Sequence, residues 1–373
     1  MSVRPLPSHG VMEGKGAYNK HATIPVGGIA LALPLLAKAV QNIELDCGDQ
    51  PVVIADYGSS QGKNSLAPMR VAIRNLRPRL GAHRPIFVFH IDQPSNDFNT
   101  LFEVLDSDPD AYTVDETNAF PCAIGRSFYE NVLPPNSVHL GWCSYAAVWL
   151  SRIPTRVLGH FLPLRSTGPE RAAFQYQAEQ DWKAFISLRA AELRPGGRLM
   201  VVLPALDDDG VAGLEDLMDH ANAVLAEMVE GGTLHADERE RMVLGAYLRR
   251  RCDLLAPFRA DGQFEGLTVE CCELFPLPDS TWAEYERDRN KEALASKHAL
   301  FFRAIFVPSL ALSLTHAHDP EQCRVFADRF ENGLKQRLAK QPAPLHSFVQ
   351  ILVVAKRAFA PSPSSTTQAN KRG

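Results

Sequence analysis

The 373-residue chain has no C-x-x-C pair and no H-E-x-x-H, and its His316-Ala-His318 pair lacks further ligands at convincing spacing. Its seven cysteines (Cys47, Cys122, Cys143, Cys252, Cys271, Cys272 and Cys323) are odd in number and scattered apart from Cys271 and Cys272. Disulfide frameworks and zinc sites need paired or clustered spacing, so no metal is expected, and reduced thiols in a cytoplasmic protein are. Neither sign of charge dominates: 39 Lys and Arg face 43 Asp and Glu, a net charge of −4. Nucleic-acid binding needs a basic field to displace counterions, so no nucleic-acid partner is expected. Long hydrophobic runs are also missing. The apolar run Val26 to Ala37 is interrupted by Pro34 and falls short of the ~20 residues of a membrane span. Ala37-Lys38-Ala39 resembles a cleavage site, yet the run begins late, after a polar stretch with Pro5, Pro7 and Pro25. A buried helix beside a pocket is expected there, and no membrane partner.

What the chain does have is apolar runs bounded by turn residues and alternating with helical periodicity. Strands are expected at Pro51–Asp56, Pro85–Ile91, Ser137–Trp142 and Arg198–Leu203, with later ones near Leu267–Leu274 and Phe348–Ala355. Leu66, Met69, Ile73 and Leu76 fall at helical spacing, and a long helix from about Gln175 to Leu193 ends at Arg194-Pro-Gly-Gly197. After Pro204, helices are expected over Gly213–Val229, Glu238–Arg250 and Trp282–Phe306. This alternation predicts an α/β fold: a Rossmann-like sheet with helices on both faces and a helical cap. The expected organisation is an amino-terminal segment (1–50) forming part of a lid, a core (51–205), mainly helical cap insertions with one core strand (206–345), a final core strand (346–358) and a disordered polar tail (359–373).

One turn carries chemistry. Asp56-Tyr-Gly58-Ser-Ser-Gln-Gly62 follows a strand and opens a helix, at the carboxyl end of a strand where open α/β sheets bind ligands. It is not a dinucleotide fingerprint, because three residues separate Gly58 from Gly62 and no third glycine follows. It is not a P-loop, being one residue short, with Asn64 where a magnesium ligand would stand. An ordinary tight turn fits the glycines as well. Asp92 closes the next strand and could accept hydrogen bonds from both hydroxyls of a ribose, or could simply cap the following turn. Two acids ending neighbouring strands suit S-adenosylmethionine.

Six segments in order then resemble the salicylate, benzoate and theobromine (SABATH) family of S-adenosylmethionine-dependent carboxyl methyltransferases. They are Gly16–Asn19, Ile54–Asn64, His90–Asn99, Gly125–Tyr129, Cys143–Ser151 and Leu193–Gly197, and the resemblance runs from Met12 to about Arg357. It implies S-adenosylmethionine as cofactor, with Asp56 and Asn64, beside Gly58, at its methionine end. It implies Asp92 at the ribose with Gln93 beside it, and Ser127 and Phe128 flanking the adenine. Tyr145 and Trp149 would line the acceptor pocket, the indole N–H directed at a small-molecule carboxylic acid. Tyr18, in the amino-terminal segment expected to form part of the lid, is expected to help position the substrate. Phe128, Trp149 and Tyr145 could equally be core aromatics. The sequence departs from the family at two amino-terminal positions. Ala22 stands for a cofactor-contacting serine and Pro25 for a carboxylate-binding glutamine, and proline brings no amide donor. Gln93 stands where an apolar residue is usual. Related enzymes are commonly homodimers.

A carboxylate, with a pKa near 4, is already a nucleophile at neutral pH. The expected activity is methyl-ester formation on small carboxylic acids by in-line displacement, with no catalytic acid or base. An N-methyltransferase of the same family and an inactive cofactor-binding homologue are the alternatives.

Overall fold

The computed structural model describes residues 6–7, 10–14 and 16–357, with residues 6, 7, 18 and 23 described by backbone alone. The polar tail 359–373 therefore lies outside the described residues. The chain begins with β1 (Leu6–Pro7), α1 (Ala17–His21) and α2 (Thr23–Gln41), followed by β2 (Val52–Tyr57), α3 (Lys63–Leu80) and β3 (Ile86–Asp92). Next come α4 (Phe98–Ser107), α5 (Tyr112–Asp115), β4 (Ala119–Gly125), β5 (Val138–Ser144) and β6 (Arg152–Ile153). The long α6 (Gly168–Glu192) leads into β7 (Leu193–Ala205), then α7 (Glu215–Glu230), α8 (Ala236–Arg241) and α9 (Arg251–Leu255). The remainder is β8 (Gln263–Phe264), β9 (Leu267–Leu277), α10 (Ser280–Asp288), α11 (Lys291–Ala311), α12 (Pro320–Lys340) and β10 (Ser347–Lys356).

Eight strands form one sheet in the order β4-β3-β2-β5-β7-β10-β9-β8, and β1 pairs with β6 in a small separate ribbon. The first five strands are parallel to their neighbours, whereas β10 runs antiparallel to both β7 and β9. The chain builds outward from β2 to β3 and β4, then returns to lay β5 on the other side of β2. That reversal opens a crevice at the carboxyl ends of β2 and β5. Register sets the two acids there: Asp56 pairs with His90 and Trp142, and Asp92 with Gly125.

Each face of the sheet has its own core. Val52, Ile54, Val88, Leu140 and Met200 pack against α2 and α3 on one face. Ala55, Val138, Leu199 and Val201 pack against Trp182, Phe185 and Ile186 of α6 on the other. A third core (Leu217, Leu225, Phe302, Phe330 and Leu334) joins α7, α11 and α12 into the helical cap.

Several expected boundaries change. The segment Glu238–Arg250 is helical only to Arg241. Beyond it the backbone extends, because Leu244 N–H donates to Phe161 O, Gly245 O accepts from Leu150 N–H, and Ala246 bridges Trp149. These tertiary pairings outweigh local helical periodicity. The strand β4 was not expected, since Pro121 and an edge position hide its pattern. Strand β7 begins directly at Leu193, five residues before the expected Arg198. Just past β5 the backbone turns sharply at Tyr145 (φ 57°). Helix α2 outruns its apolar segment: Ile24–Gln41 is long and apolar enough to cross a membrane, but Ala32, Leu36, Ala39 and Val40 are buried in the core of the sheet's first face.

Candidate functional site

The turn after β2 is shaped by what a side chain would strike. Gly58 has φ 88°, and a Cβ there would overlap Ala146 Cβ. Only glycine meets both conditions without cost. The Gly58 and Ser59 N–H groups donate to Ile91 O (2.7 and 3.1 Å), tying the turn to β3. Ser60 sits at φ 48°, a left-handed conformation that a non-glycine residue holds only when its surroundings fix it. They do: Ser60 N–H donates to Asp92 Oδ2 (2.7 Å) and Ser60 O accepts from Asn96 Nδ2 (2.8 Å). The second Asp92 oxygen accepts from Gln93 N–H (2.7 Å). Burial pushes the Asp92 carboxyl up to about 6; the two backbone N–H donors oppose that rise, and the nearby Asp56 charge adds to it.

Asp56 is buried at the end of β2. Its Oδ2 accepts from Ser65 Oγ (2.5 Å) and meets His90 Nδ1 at 2.9 Å. His90 Nε2 lies 3.0 Å from Tyr112 Oη. With Nδ1–H donated to the carboxylate, Nε2 accepts the phenol O–H. Burial and then the Asp56 charge raise the Tyr112 phenol far above its ordinary range, so that it stays a donor. This chain fixes one carboxylate oxygen of Asp56.

Two adjoining cavities open above these strand ends. The larger, about 500 Å³, is lined by Gly58, Asp92, Gln93, Ser127 and Phe128 among others. A narrow inner one is lined by Asp56, Gly58, Asn64, Ser59 and Ser144, with Pro25 and Tyr145. Ser59 Oγ and Ser144 Oγ are buried there without hydrogen-bond partners among the described residues. The Ser127–Phe128 loop is held from behind. Arg189, fully buried on α6, donates to Phe128 O (2.7 Å) and Glu130 O (3.2 Å) and pairs with Glu192 (2.9 Å). Glu192 in turn accepts from the Val132 and Leu133 N–H groups.

A strap crosses the larger cavity. Gly10, Val11, Met12 and Gly14 line it, and Gln61 from the turn reaches up to them. Gln61 Nε2 donates to Glu13 O (2.8 Å), and its Oε1 accepts from Gly16 N–H (3.1 Å). Arg303 on α11 secures the strap by pairing with Glu13 (3.0 Å) while bonding Asp328 and Glu331 (2.7 Å each). Tyr18 falls on α1, but its side chain lies outside the described residues.

Beyond Tyr145 and Trp149 is a further cavity of about 120 Å³, walled mainly by Leu, Met, Ile, Phe, Val and Pro side chains. It shares Met12, Tyr145 and Trp149 with the large cavity. Tyr145 N–H donates to Val202 O (2.8 Å), and Gly28 leaves room for the phenol, which a Cβ would strike. Gly10 does the same for the Trp149 indole. Arg249, buried beneath, donates to Ala147 O (2.8 Å) and holds the loop that carries both aromatics. Pro25 lines this cavity and the inner one, presenting a ring to both. The structure thus gathers Asp56, Gly58, Asn64, Asp92, Gln93, Ser127, Phe128, Tyr145 and Trp149 around connected cavities. Sequence reasoning missed Ser65, Tyr112, Gln61, Arg189 and Arg249, and gave His90 no role. Gln61 alone carried a signal, as a long amide side chain inside a glycine turn.

The chain matches the family described as SAM dependent carboxyl methyltransferase over residues 8–357. It is 32% identical over 232 residues to "Methyltransferase LUC1" of Fusarium sp, covering 60% of this chain and 59% of that protein. It is 27% identical over 256 residues to loganic acid O-methyltransferase of Catharanthus roseus, covering 62% and 66%. The chain therefore spans somewhat under two thirds of the length of these relatives. The solved structure of loganic acid methyltransferase with SAH superposes with a TM-score of 0.75 at 22% identity, over 94% of this chain and 99% of that one, which shows a shared fold. The match over nearly the whole described chain makes this protein a member of the SABATH family of S-adenosylmethionine-dependent carboxyl methyltransferases, with S-adenosylmethionine as its cofactor.

Proposed function

We propose that the chain forms methyl esters of small, mainly apolar carboxylic acids, without a general base. The observation that carries this reading is the junction at Tyr145 and Trp149. On one side lie the two adjoining polar cavities, with the hydroxyls of Ser59 and Ser144 unpartnered among the described residues and the acids Asp56 and Asp92; on the other lies an apolar one. The polar side fits the cofactor. A buried hydroxyl without a partner costs about 1–3 kcal/mol, so Ser59 and Ser144 suit polar groups of a ligand. Asp56 and Asn64 would hold the methionine end, Asp92 the ribose hydroxyls, and Ser127 and Phe128 the adenine, with Gln93 adjusting the neighbouring contacts.

S-adenosylmethionine, when bound, supplies an electrophilic methyl group; transfer to a carboxylate oxygen leaves the cleaved C–S bonding pair on sulfur and removes no proton from the acceptor. The protein's part is to place the acceptor and keep water out. The Trp149 indole N–H, unpartnered among the described residues, is the donor that orients the carboxylate, with the Tyr145 phenol beside it. Holding two reactants in line can supply roughly 7–11 kcal/mol of the barrier. The strap 10–14 and the cap helices α7 and α11 close the cavity, so the carboxylate reacts poorly hydrated. Loganic acid and gibberellic acid methyltransferases are among the relatives, and so are probable 7-methylxanthine methyltransferases. Incubation with methyl-labelled S-adenosylmethionine and a panel of aromatic, terpenoid and fatty acids tests the reading. Labelled methyl esters are expected. Label entering only ring nitrogens, or binding with no turnover on any acid, would defeat it.

A further inference from the structure

The apolar cavity has one basic side chain on its wall. Arg171, in the first turn of α6, is the only Lys or Arg among its lining residues. Its guanidinium has no hydrogen-bond or ion-pair partner among the described residues. The adjacent Glu170 is committed to Leu158 N–H (3.3 Å), and the cavity's one carboxylate, Glu215, accepts from Ala212 N–H (2.7 Å). Tyr247 lines the same cavity, and its hydroxyl is also without a partner among the described residues. Burial raises the Tyr247 phenol pKa and Asp253 adds to the rise, while the charges of Arg171, Arg249 and Arg250 oppose it.

Neither Arg171 nor Tyr247 is among the residues that the apolar cavity shares with the cofactor cavity. Met12, Tyr145 and Trp149 are shared with the cofactor cavity and mark the inner end of the apolar one. Arg171 and Tyr247 line neither the cofactor cavity nor the narrow inner one. A carboxylate is an acceptor-only group that takes two parallel N–H bonds from a guanidinium fork, and a phenol O–H can supply a third. Arg171 is exposed, so a carboxylate meeting it there surrenders little hydration.

We propose that Arg171 and Tyr247 are specificity residues that hold a second anionic group, so that the preferred acceptor is an apolar acid bearing another carboxylate at its far end. One carboxylate is esterified beside Trp149 while the other stays ionised against Arg171, and the product is a half-ester. The inference rests on the carboxyl-methylation reading and narrows it.

The test compares an α,ω-dicarboxylic acid with the monocarboxylic acid of equal chain length, using the whole chain and saturating S-adenosylmethionine. The wild type is expected to show a KM on the order of tenfold lower for the diacid, with the monomethyl ester as product. Arg171→Ala should raise the diacid KM by about the same factor, leaving its kcat and the monoacid KM in place; Arg171→Lys should recover part of the loss, and Tyr247→Phe should cost about threefold. Equal effects on both acids, or none on either, would overturn the inference while leaving ester formation standing. If neither acid is methylated, the functional reading fails. Calorimetric titration of the diacid into the chain saturated with S-adenosylhomocysteine then decides separately, since affinity unchanged by Arg171→Ala overturns the anion site itself.

Discussion

Replacing Gly58 with alanine adds one methyl group at the most constrained point of the site. At φ 88° a Cβ costs about 1–2 kcal/mol in backbone strain alone. The new methyl also lands inside Ala146 Cβ, and relieving that overlap forces a shift of about 1 Å, with a packing cost of about 1–3 kcal/mol. The sum is roughly 2–5 kcal/mol. With an unfolding entropy of about 2.1 cal/mol/K per residue, a chain of this length loses about 1.3 °C of Tm for each kcal/mol, so a drop of roughly 3–7 °C is expected. The displacement also reaches function, because Ala146 adjoins Tyr145, and errors near 1 Å at reacting groups cost about 10²-fold in rate. Differential scanning calorimetry and titration with S-adenosylhomocysteine read the two effects. Gly27→Ala serves as the control: it lies inside α2, its Cβ would come no nearer than 4.0 Å to Leu277 Cδ2, and it should be neutral or stabilising. A Gly58→Ala chain with unchanged Tm and cofactor affinity would refute the steric reasoning.

Other outcomes follow from the same geometry. Asp92→Ala should weaken S-adenosylhomocysteine binding by about 10- to 100-fold, the worth of a charge-assisted hydrogen bond, whereas Trp149→Phe should raise the acceptor KM and spare cofactor affinity; the reverse pattern would misplace both residues. Because the Asp92 carboxyl titrates at about 6, cofactor affinity should fall as pH drops through 6 and be roughly tenfold weaker at pH 5 than at pH 7.5, while a flat profile would remove the carboxylate from the site. The sign for stability is opposite. A carboxyl raised from 3.8 stabilises the free fold most below pH 4, and that contribution is lost as pH rises through 6, so melting curves of Asp92→Ala should lose this component of the pH dependence. Gln61→Ala removes two hydrogen bonds to the strap and should speed amide exchange over residues 10–14; unchanged exchange would mean that the contacts with α11 suffice to hold the strap.

The parts of this architecture legible in the sequence were those fixed by local composition. Continuous apolar runs marked β2, β3 and β5 because strands buried on both faces need no polar alternation. Asp56 and Asp92 stood out as acids closing such runs. Strand β4 stayed hidden because an edge strand with Pro121 and the exposed Phe120 lacks that signature. Residues 242–250 read as helix because their apolar spacing fits a helix, while their extended form depends on backbone partners at Leu150 and Phe161, some 80 to 95 residues earlier. The supports of the site were invisible for a related reason. Arg189, Arg249 and Tyr112 look like ordinary residues until folding buries them beside Phe128 O, Ala147 O and His90. Pro25 was legible as a departure, and its ring lines both the inner and the apolar cavity.

The pH dependence of kcat, measured with an acid substrate and saturating cofactor, tests most directly whether the methyl group goes to an oxygen that is already ionised. Acceptor carboxylates are charged well below pH 6, so a level profile is expected from about pH 6.5 to 9. A limb rising with an apparent pKa between 7 and 9 would reveal a group that must lose its proton before transfer, and would contradict it.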